Sequence, residues 1–198
     1  MANVDELALD RCGVKYKDNV GILVDDYLRS TNPRIYAAGD VCMSHKFTHV
    51  AKFTATMATE NALLDTQQNQ RELVVPWCTF CDPEIAHVGM QVWEAKARGV
   101  PVTTYTVMMH DVDRAIIDEQ DTGFVKIHVQ DNTDRILGAT IVASRASEMV
   151  NEITLAMNTR IGMRDLAKVL HIYPSQAEAM HMTALAYLQS NAVPAPIR

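Results

Sequence analysis

The pair Gly39-Asp40 follows a short, mainly apolar stretch, residues 34–38, and is the first place where side chains could hold a ligand. An Asp just past a buried strand offers two acceptor oxygens to a ligand hydroxyl, and a glycine lets that ligand approach the backbone closely. A turn Asp that binds nothing has the same local pattern. The residues alone leave both interpretations open.

A second group of candidate side chains lies near the end of the chain, in the segment 173–178. A carboxylate near a proton-transferring side chain indicates an acid–base pair, but the phenol of Tyr173, with a reference pKa of about 10, is a poor base at neutral pH. Ser175 and Glu178 also have the spacing of a capping box, which predicts that Ser175 caps the last helix. Glu178 is therefore a candidate for capping, for a site, or for both.

The spacing of Cys78 and Cys81 is that of a redox dithiol or of half a zinc site. A thioredoxin-like dithiol is expected at the start of a helix, whereas residues 82–84, Asp-Pro-Glu, follow this pair at once. A zinc site needs two more ligands, but Cys12 and Cys42 are single and distant, and no His pair is suitably spaced. We predict no metal site, and the sequence favours no function for the pair.

Local patterns predict the elements that must position these side chains. Residues 50–67 contain neither Gly nor Pro, which predicts a helix leading away from Asp40. Runs rich in β-branched residues predict strands at 102–108, 124–129 and 136–142, with the last two forming an antiparallel hairpin. The remaining predictions are brief strands at 22–24 and 34–38, and helices at 92–97, 147–158, 163–170 and 175–191.

The order of these elements indicates the fold class. Strands grouped before helices predict an α+β fold, in which helices cover an antiparallel sheet. The polar stretch 67–72 is the best candidate for a domain boundary. We therefore predict a small first domain, residues 1–68, and a sheet-containing second domain, residues 72–198.

Together, these motifs resemble the C-terminal part of a flavin-dependent pyridine nucleotide–disulfide oxidoreductase, the family that includes mercuric reductase and dihydrolipoamide dehydrogenase. The resemblance rests on the segments 35–40, 75–89 and 171–178, which occur in the family's order. It implies that residues 1–68 are the end of an FAD-binding domain and that residues 72–198 are a dimerisation domain. It also implies that Gly39 and Asp40 contact the ribityl chain of FAD, and that Thr48 lies near the flavin ring.

The resemblance implies roles near the C-terminus as well. Disulfide reductases of the family carry a His immediately before the Pro that corresponds to Pro174, and a Glu five positions after that His. The two side chains form a proton relay for the thiols of the other subunit. Here Tyr173 stands at the first position, as in mercuric reductases, and Glu178 keeps the second. The resemblance thus gives Tyr173 and Glu178 the catalytic positions, favours packing of Tyr173 at a subunit interface, and aligns His171 outside the relay.

The family's reaction transfers a hydride from NAD(P)H through FAD to a thiol pair. The Gly-rich flavin turn and the reactive Cys pair of the family do not occur in these 198 residues. We therefore expect a homodimeric, catalytically incomplete piece of such an enzyme, which retains no FAD. The segment 192–198 has no thiol, which makes mercury doubtful as the parent enzyme's substrate.

Two alternatives to this interpretation remain. The first is a stand-alone dimerisation module without redox activity. The second, less favoured, is an independent thiol or zinc protein that uses Cys78 and Cys81. In the context of the family, both thiols are instead expected to be small buried hydrophobic residues within the segment 75–89.

Composition narrows the choice of partners and compartment. A net charge of -6 offers no basic face to nucleic acid or to an anionic membrane, and no apolar run approaches the roughly 20 residues of a membrane span. The first residues lack the pattern of a secretory signal. Four cysteines in a chain of this length do not make a disulfide framework. We expect a cytoplasmic protein with no nucleic-acid or membrane partner.

Overall fold

The structure is a computed structural model that describes residues 2–64 and 66–191. The chain divides into two compact units, Met1–Val75 and Pro76–Arg198. The division therefore lies a few residues beyond the polar stretch 67–72. The segment 192–198, in which we noted the absence of a thiol, lies outside the described residues.

Short elements around one long helix make up the first unit. They are a 3-10 helix Leu9–Cys12, strands β1 (Tyr16–Lys17) and β2 (Gly21–Ile22), a 3-10 helix Gly39–Val41, helix α1 (Thr48–Leu64) and a 3-10 helix Gln70–Glu72. The brief strands predicted at 22–24 and 34–38 are reduced to β2 and to isolated bridges, because this part of the chain folds back on itself. The Ala37 N–H, for example, donates to the Leu28 carbonyl at 3.0 Å.

The core of the first unit forms along one side of α1. Val50, Met57 and Ala58 of this helix pack with Leu28 and Met43, all of them buried. The helix was predicted at 50–67 and begins two residues earlier, at Thr48. Residues 39–47 therefore lead directly from the Gly39 turn into α1.

An antiparallel five-stranded sheet organises the second unit, in the order β3-β4-β7-β6-β5. Its strands are β3 (Pro76–Thr79), β4 (Glu84–Gly89), β5 (Val102–Met108), β6 (Phe124–Gln130) and β7 (Ile136–Ala143). The predicted hairpin at 124–142 is present as β6 and β7, which pair antiparallel, and β5 has the predicted bounds.

Helices cover one face of this sheet. The helices are α2 (Val92–Ala97), α3 (Asp113–Ile117), α4 (Ala146–Asn158), α5 (Met163–Leu166) and α6 (Glu178–Ser190), and a 3-10 helix spans Met109–Asp111. Helix α4 packs against β4 and β7, and α6 packs against β5 and β6. Alternate residues of the central strands, such as Val88, Ile127 and Ile141, are fully buried. The α+β prediction, with helices covering an antiparallel sheet, is confirmed.

The last two helices are shorter than predicted. Helix α5 ends at Leu166 rather than residue 170, and α6 begins at Glu178 rather than residue 175. Its N-cap is Ala177, which makes no side-chain cap, and Ser175 contributes only its backbone carbonyl, 3.3 Å from the Glu178 N–H. The predicted capping box is therefore wrong, because the helix starts too late for Ser175 to occupy the N-cap position.

Among the described residues, none of the helices combines the length and the apolar character required to traverse a lipid bilayer.

Candidate functional site

The Gly39 turn in the first unit is shaped by contact with α1. Gly39 has φ of 69°, in the left-handed region that favours glycine. A Cβ at this position would lie 2.8 Å from the Cβ of Ala51 in the second turn of α1. Both the backbone conformation and the available space therefore require glycine here.

A buried threonine joins this turn to the helix. The Gly39 N–H donates to Thr54 Oγ1 at 3.0 Å, and the same hydroxyl donates to the Val50 carbonyl at 2.7 Å. Thr54 is 0% exposed. One side chain thus satisfies a buried donor of the turn and holds the turn on α1. Thr54 was not among the predicted site residues, because a Thr within an Ala-rich helix gives only a weak signal.

Asp40 follows with its side chain exposed to solvent. Within the part of the chain that the structure describes, the Asp40 carboxylate has no hydrogen-bond or ion-pair partner. Lys46 instead binds the backbone of the loop, because its Nζ donates to the carbonyls of Asp40 and Met43 at 2.5 and 3.2 Å. The loop is braced while the carboxylate remains available to a hydroxyl group of a ligand.

Thr48 is the first residue of α1, and its side chain is exposed. The first backbone bond of this turn joins the Ala51 N–H to the Phe47 carbonyl at 2.9 Å. First-turn amides of a helix have no partner within the helix and carry partial positive charge. Burial raises the pKa of the neighbouring Cys42 thiol to about 11, although Lys46 opposes this, so the loop adds no thiolate. The first-turn amides of α1 could therefore donate to acceptor atoms of a ligand beside Thr48.

Tyr173 in the second unit is 68% exposed, and its hydroxyl donates to Asp113 Oδ2 at 2.8 Å. This hydrogen bond is the main reason why the pKa of Tyr173 is raised; the negative charge of Asp113, burial and the Glu178 carboxylate add to the effect. The phenol therefore stays protonated at neutral pH and acts as a donor. Asp113 was not among the predicted site residues, and it lies 60 positions before Tyr173.

Glu178 is the first residue of α6 and lies close enough to influence Tyr173. Its carboxylate has no hydrogen-bond or ion-pair partner in the described part of the chain. An acidic side chain in the first helical turn interacts favourably with the helix dipole. The structure therefore brings Tyr173 and Glu178 into one electrostatic environment without joining them by a hydrogen bond.

His171 makes a contact that alignment on Pro174 did not reveal. Its Nε2 lies 2.9 Å from Glu152 Oε1 on α4, and its Nδ1 lies 3.1 Å from the Val169 carbonyl. Both ring nitrogens face acceptors and the ring is nearly buried, which holds the loop before Tyr173 in place. The pair has the geometry of an oriented imidazole and carboxylate, but the ring is engaged on both sides.

A groove of about 370 Å³ lies beside this loop, in the second unit. Three surfaces line it: the α3 region with Arg114 and Asp118, the first turns of α4, and the segment 174–177. Ser144 and Gln176 hold that segment through mutual hydrogen bonds at 2.9 and 3.0 Å.

Cys78 lies in β3, and Cys81 lies in the bend between β3 and β4. Cys81 is exposed and Cys78 is intermediate, so the expectation that both are buried hydrophobic residues is wrong for Cys81. The reason is that Cys81 lies in the bend after β3, where its side chain points away from any core. Among the described residues, no group of three or more His, Cys, Asp or Glu side chains is arranged to hold a metal ion.

Two family matches cover most of the chain. Residues 2–59 match the pyridine nucleotide-disulphide oxidoreductase family, and residues 75–184 match its dimerisation domain. The second match alone covers more than half of the 198 residues.

Curated relatives agree with these matches. A mercuric reductase from Bacillus cereus is 34% identical over 91% of this chain and 29% of the relative. A mercuric reductase from Streptomyces lividans is 33% identical over 90% of this chain and 38% of the relative. A dihydrolipoyl dehydrogenase from Corynebacterium glutamicum is 31% identical over 91% of this chain and 39% of the relative. The chain thus spans about a third of the length of these relatives.

Solved structures share the fold. LpdA from Mycobacterium tuberculosis has a TM-score of 0.86 at 30% identity, over 94% of this chain and 41% of LpdA. The flavoprotein disulfide reductase RclA from Escherichia coli has a TM-score of 0.81 at 23% identity, over 90% of this chain and 41% of RclA. At this identity, the similarity shows the fold alone. With both units matched in the family's order, the chain belongs to the pyridine nucleotide-disulphide oxidoreductase family and includes its dimerisation domain.

Proposed function

We propose that this chain is the C-terminal portion of an FAD-dependent NAD(P)H oxidoreductase of the mercuric reductase and disulfide reductase type. In this proposal it supplies the homodimer interface and part of the flavin site, and it is not catalytically complete by itself. The parent enzyme would transfer a hydride from NAD(P)H through FAD to a thiol pair. The family membership supports the reaction type, and two features of the structure support the division of roles.

The observation that carries the proposal is a run of exposed apolar side chains before Pro174. Leu170 is 97% exposed, Ile172 is 81% exposed and Tyr173 is 68% exposed. Large apolar side chains that are exposed side by side mark surfaces that another molecule covers. Because this run lies in the unit that matches the dimerisation domain, we propose that a second copy of the chain covers it.

The second feature is the Gly39 turn with its available carboxylate. We propose that Asp40 accepts a hydrogen bond from the ribityl chain of FAD and that Gly39 allows the close approach. Thr48, at the start of α1, would lie near the flavin ring, where first-turn amides favour its carbonyl oxygens. FAD supplies the electron-carrying chemistry when it is bound, and these residues only bind and orient it.

Tyr173 and Glu178 would complete the active site of the other subunit. Because its hydroxyl already donates to Asp113, Tyr173 would hold and orient a polar group rather than remove a proton. Glu178 would contribute negative charge close to that hydroxyl. The electron acceptor of the parent enzyme is left open by this assignment.

Sedimentation velocity tests the interface. The unchanged chain is expected to sediment as a dimer, and Leu170→Asp is expected to sediment as a monomer, because a buried, unpaired carboxylate would be placed in the apolar contact. Leu63→Asp is a matched control, since Leu63 is 77% exposed on α1, far along the sequence from the proposed interface. A monomeric unchanged chain would overturn the proposal.

Flavin titration tests the second role. We expect the purified chain to carry no flavin absorbance and to bind added FAD weakly, with Asp40→Asn weakening that binding by about tenfold for a lost charged hydrogen bond of roughly 1.4 kcal/mol. Dimerisation without any Asp40-dependent flavin binding would instead indicate a stand-alone dimerisation module.

The proposal also places the protein in the cytoplasm, without nucleic-acid or membrane partners. The net charge of -6 supports the absence of nucleic-acid binding. Cell fractionation with an antibody against the chain tests the compartment, and recovery in the membrane fraction would contradict it.

A further inference from the structure

The end of β3 and the bend after it carry two thiols three positions apart. Cys78 pairs with Ala86 in the ladder of β3 and β4, and Cys81 lies in the bend just after β3. Cys81 is exposed, and Phe80 beside it is also exposed. An oxidant in solution can therefore reach the Cys81 sulfur directly.

Both sulfur atoms face the same backbone oxygen. Cys78 Sγ donates to the Thr79 carbonyl at 3.5 Å, and Cys81 Sγ donates to the same oxygen at 3.6 Å. The two sulfur atoms can therefore be no further apart than these two distances laid end to end, about 7 Å. Cys81 Sγ also donates to the Pro83 carbonyl at 3.1 Å. A thiol is a weak hydrogen-bond donor, so these contacts can give way when the two side chains rotate and bring the sulfurs together.

We propose that Cys78 and Cys81 are a modification site, at which a peroxide converts the two thiols into a reversible intramolecular disulfide. The site is independent of the proposed flavin and dimer roles, and it uses neither Asp40 nor the segment 169–173. The partner required is a two-electron oxidant of the peroxide class. A small dithiol reverses the modification.

The chemistry proceeds in two balanced steps. The Cys81 thiolate attacks one oxygen of the peroxide, so that an S–O bond forms, the O–O bond breaks, and Cys81 becomes a sulfenic acid while hydroxide leaves and takes up a proton. Cys78 then attacks the Cys81 sulfur, an S–S bond forms, and the sulfenic oxygen leaves as water. With hydrogen peroxide, two thiols give one disulfide and the peroxide gives two water molecules.

The surroundings set the order of these steps. Burial, the Glu84 carboxylate and the neighbouring Cys81 raise the pKa of the Cys78 thiol. Cys78 is therefore the less reactive thiol at neutral pH and is suited to the second step. Disulfide closure should accelerate as the pH rises, because the fraction of Cys78 thiolate then increases.

The two remaining cysteines lie in the first unit and do not compete. Burial raises the pKa of Cys42 to about 11, so its thiol stays protonated. Cys12 donates to the Leu9 carbonyl at 3.1 Å and is half-buried. Modification of either would appear in a different proteolytic fragment from that of Cys78 and Cys81.

Peptide mapping of the unchanged chain tests the proposal. Tryptic cleavage after Arg71 and after Lys96 places Cys78 and Cys81 in one peptide, residues 72–96, which contains no other cysteine. After treatment with hydrogen peroxide and alkylation, this peptide should lose the mass of two hydrogen atoms and take up no alkylating agent. Treatment with dithiothreitol after the peroxide and before alkylation should restore alkylation of both cysteines. Oxidation of Met90 adds an oxygen atom, so it cannot be mistaken for the disulfide.

Single variants provide the matched controls. Cys78→Ser should leave Cys81 as a sulfenic acid that dimedone traps, whereas Cys81→Ser should leave Cys78 largely unmodified. Alkylation of both thiols after peroxide treatment would overturn the proposal, and so would a disulfide that forms only between two chains. Because mapping uses the unchanged chain, misfolding of a variant does not affect the main result.

Discussion

The two candidate sites of this protein are built in different ways. The Gly39 turn lies against the helix that follows it, and its main contact joins Gly39 to Thr54, 15 positions later. The loop around Tyr173 instead depends on distant residues. Tyr173 donates to Asp113, 60 positions earlier, and its neighbours His171 and Gln176 contact Glu152 and Ser144. The residues of the Gly39 turn are neighbours in the sequence and leave a motif there, whereas Thr54 and the partners of the loop before α6 lie further along the chain and leave none. The predictions below test this difference.

The largest effect is expected from Gly39→Ala. Alanine in the left-handed region costs roughly 1–2 kcal/mol, and overpacking against Ala51 costs a further 1–3 kcal/mol or so. Urea unfolding followed by circular dichroism measures the loss. Gly13→Ala is the matched control, because Gly13 has φ of 70° but nothing lies within 4 Å of its added Cβ. Equal losses in the two variants would show that the turn does not pack tightly on α1.

Removing the Thr54 hydroxyl should have the next largest effect. Thr54→Val leaves the Gly39 N–H without its acceptor in a buried position, at a cost of about 1–3 kcal/mol in the free energy of unfolding. Hydrogen exchange of the Gly39 amide should accelerate. Thr54→Ser keeps the hydroxyl and should preserve the protection of this amide, although it loses a methyl group. If both variants protect the amide equally, another acceptor holds Gly39.

The second unit should lose stability in acid. Burial, His87 and Lys126 lower the pKa of His128 to about 4 from an ordinary value of 6.5, and burial also lowers the pKa of His87. Between these values the unfolded chain binds more protons than the folded one. Stability is therefore lost as the pH falls from 6.5 towards 4, by at most about 1.4 kcal/mol per pH unit for each histidine.

Fluorescence can follow this loss, because Trp77 and Trp93 both belong to the second unit. His128→Asn removes one titrating ring and should reduce the dependence of unfolding on pH. A variant with an unchanged pH dependence would exclude His128 as the cause.

The smallest effect on stability is expected from Asp113→Asn. The bond to Tyr173 is exposed to solvent, so the free energy of unfolding should change little. The pKa of Tyr173 should nevertheless fall towards its ordinary value, because the carboxylate that favours the neutral phenol is gone. Tyrosinate absorbance against pH measures this, with Tyr173→Phe subtracted to isolate the one residue. An unchanged titration would show that Asp113 does not bind Tyr173 in solution.

Much of the fold was predictable because its signals are local. The β-branched run at β5 and the short helix α2, closed by Gly99 and Pro101, were predicted with their observed bounds. The start of α6 was not, since distant contacts hold the preceding loop: His171 binds Glu152, and Gln176 binds Ser144. These contacts keep Ser175 outside the helix, where no local pattern would place it.

The candidate sites show the same division. Local signals were sufficient to identify the Gly39 turn as a candidate ligand site. These signals were the apolar stretch before Gly39-Asp40 and the predicted helix that follows the turn. Two acceptors were not identified: Thr54, which accepts from Gly39, and Asp113, which accepts from Tyr173. The reason is that a single Thr or Asp is common in any helix. The exposure of Cys81 was also missed, since a cysteine within an apolar segment is more often buried.

By itself, the amino-acid sequence determined the class of fold, the family and the positions of the candidate residues, because periodicity, turn chemistry and motif order are properties of neighbouring residues. Only the tertiary structure decided which partner each candidate residue has. Hydrogen bonds depend on distances of about 3 Å between atoms, and those distances are set by how whole elements pack. The hydrogen bond from Tyr173 to Asp113, which keeps the phenol protonated, is a consequence of that packing.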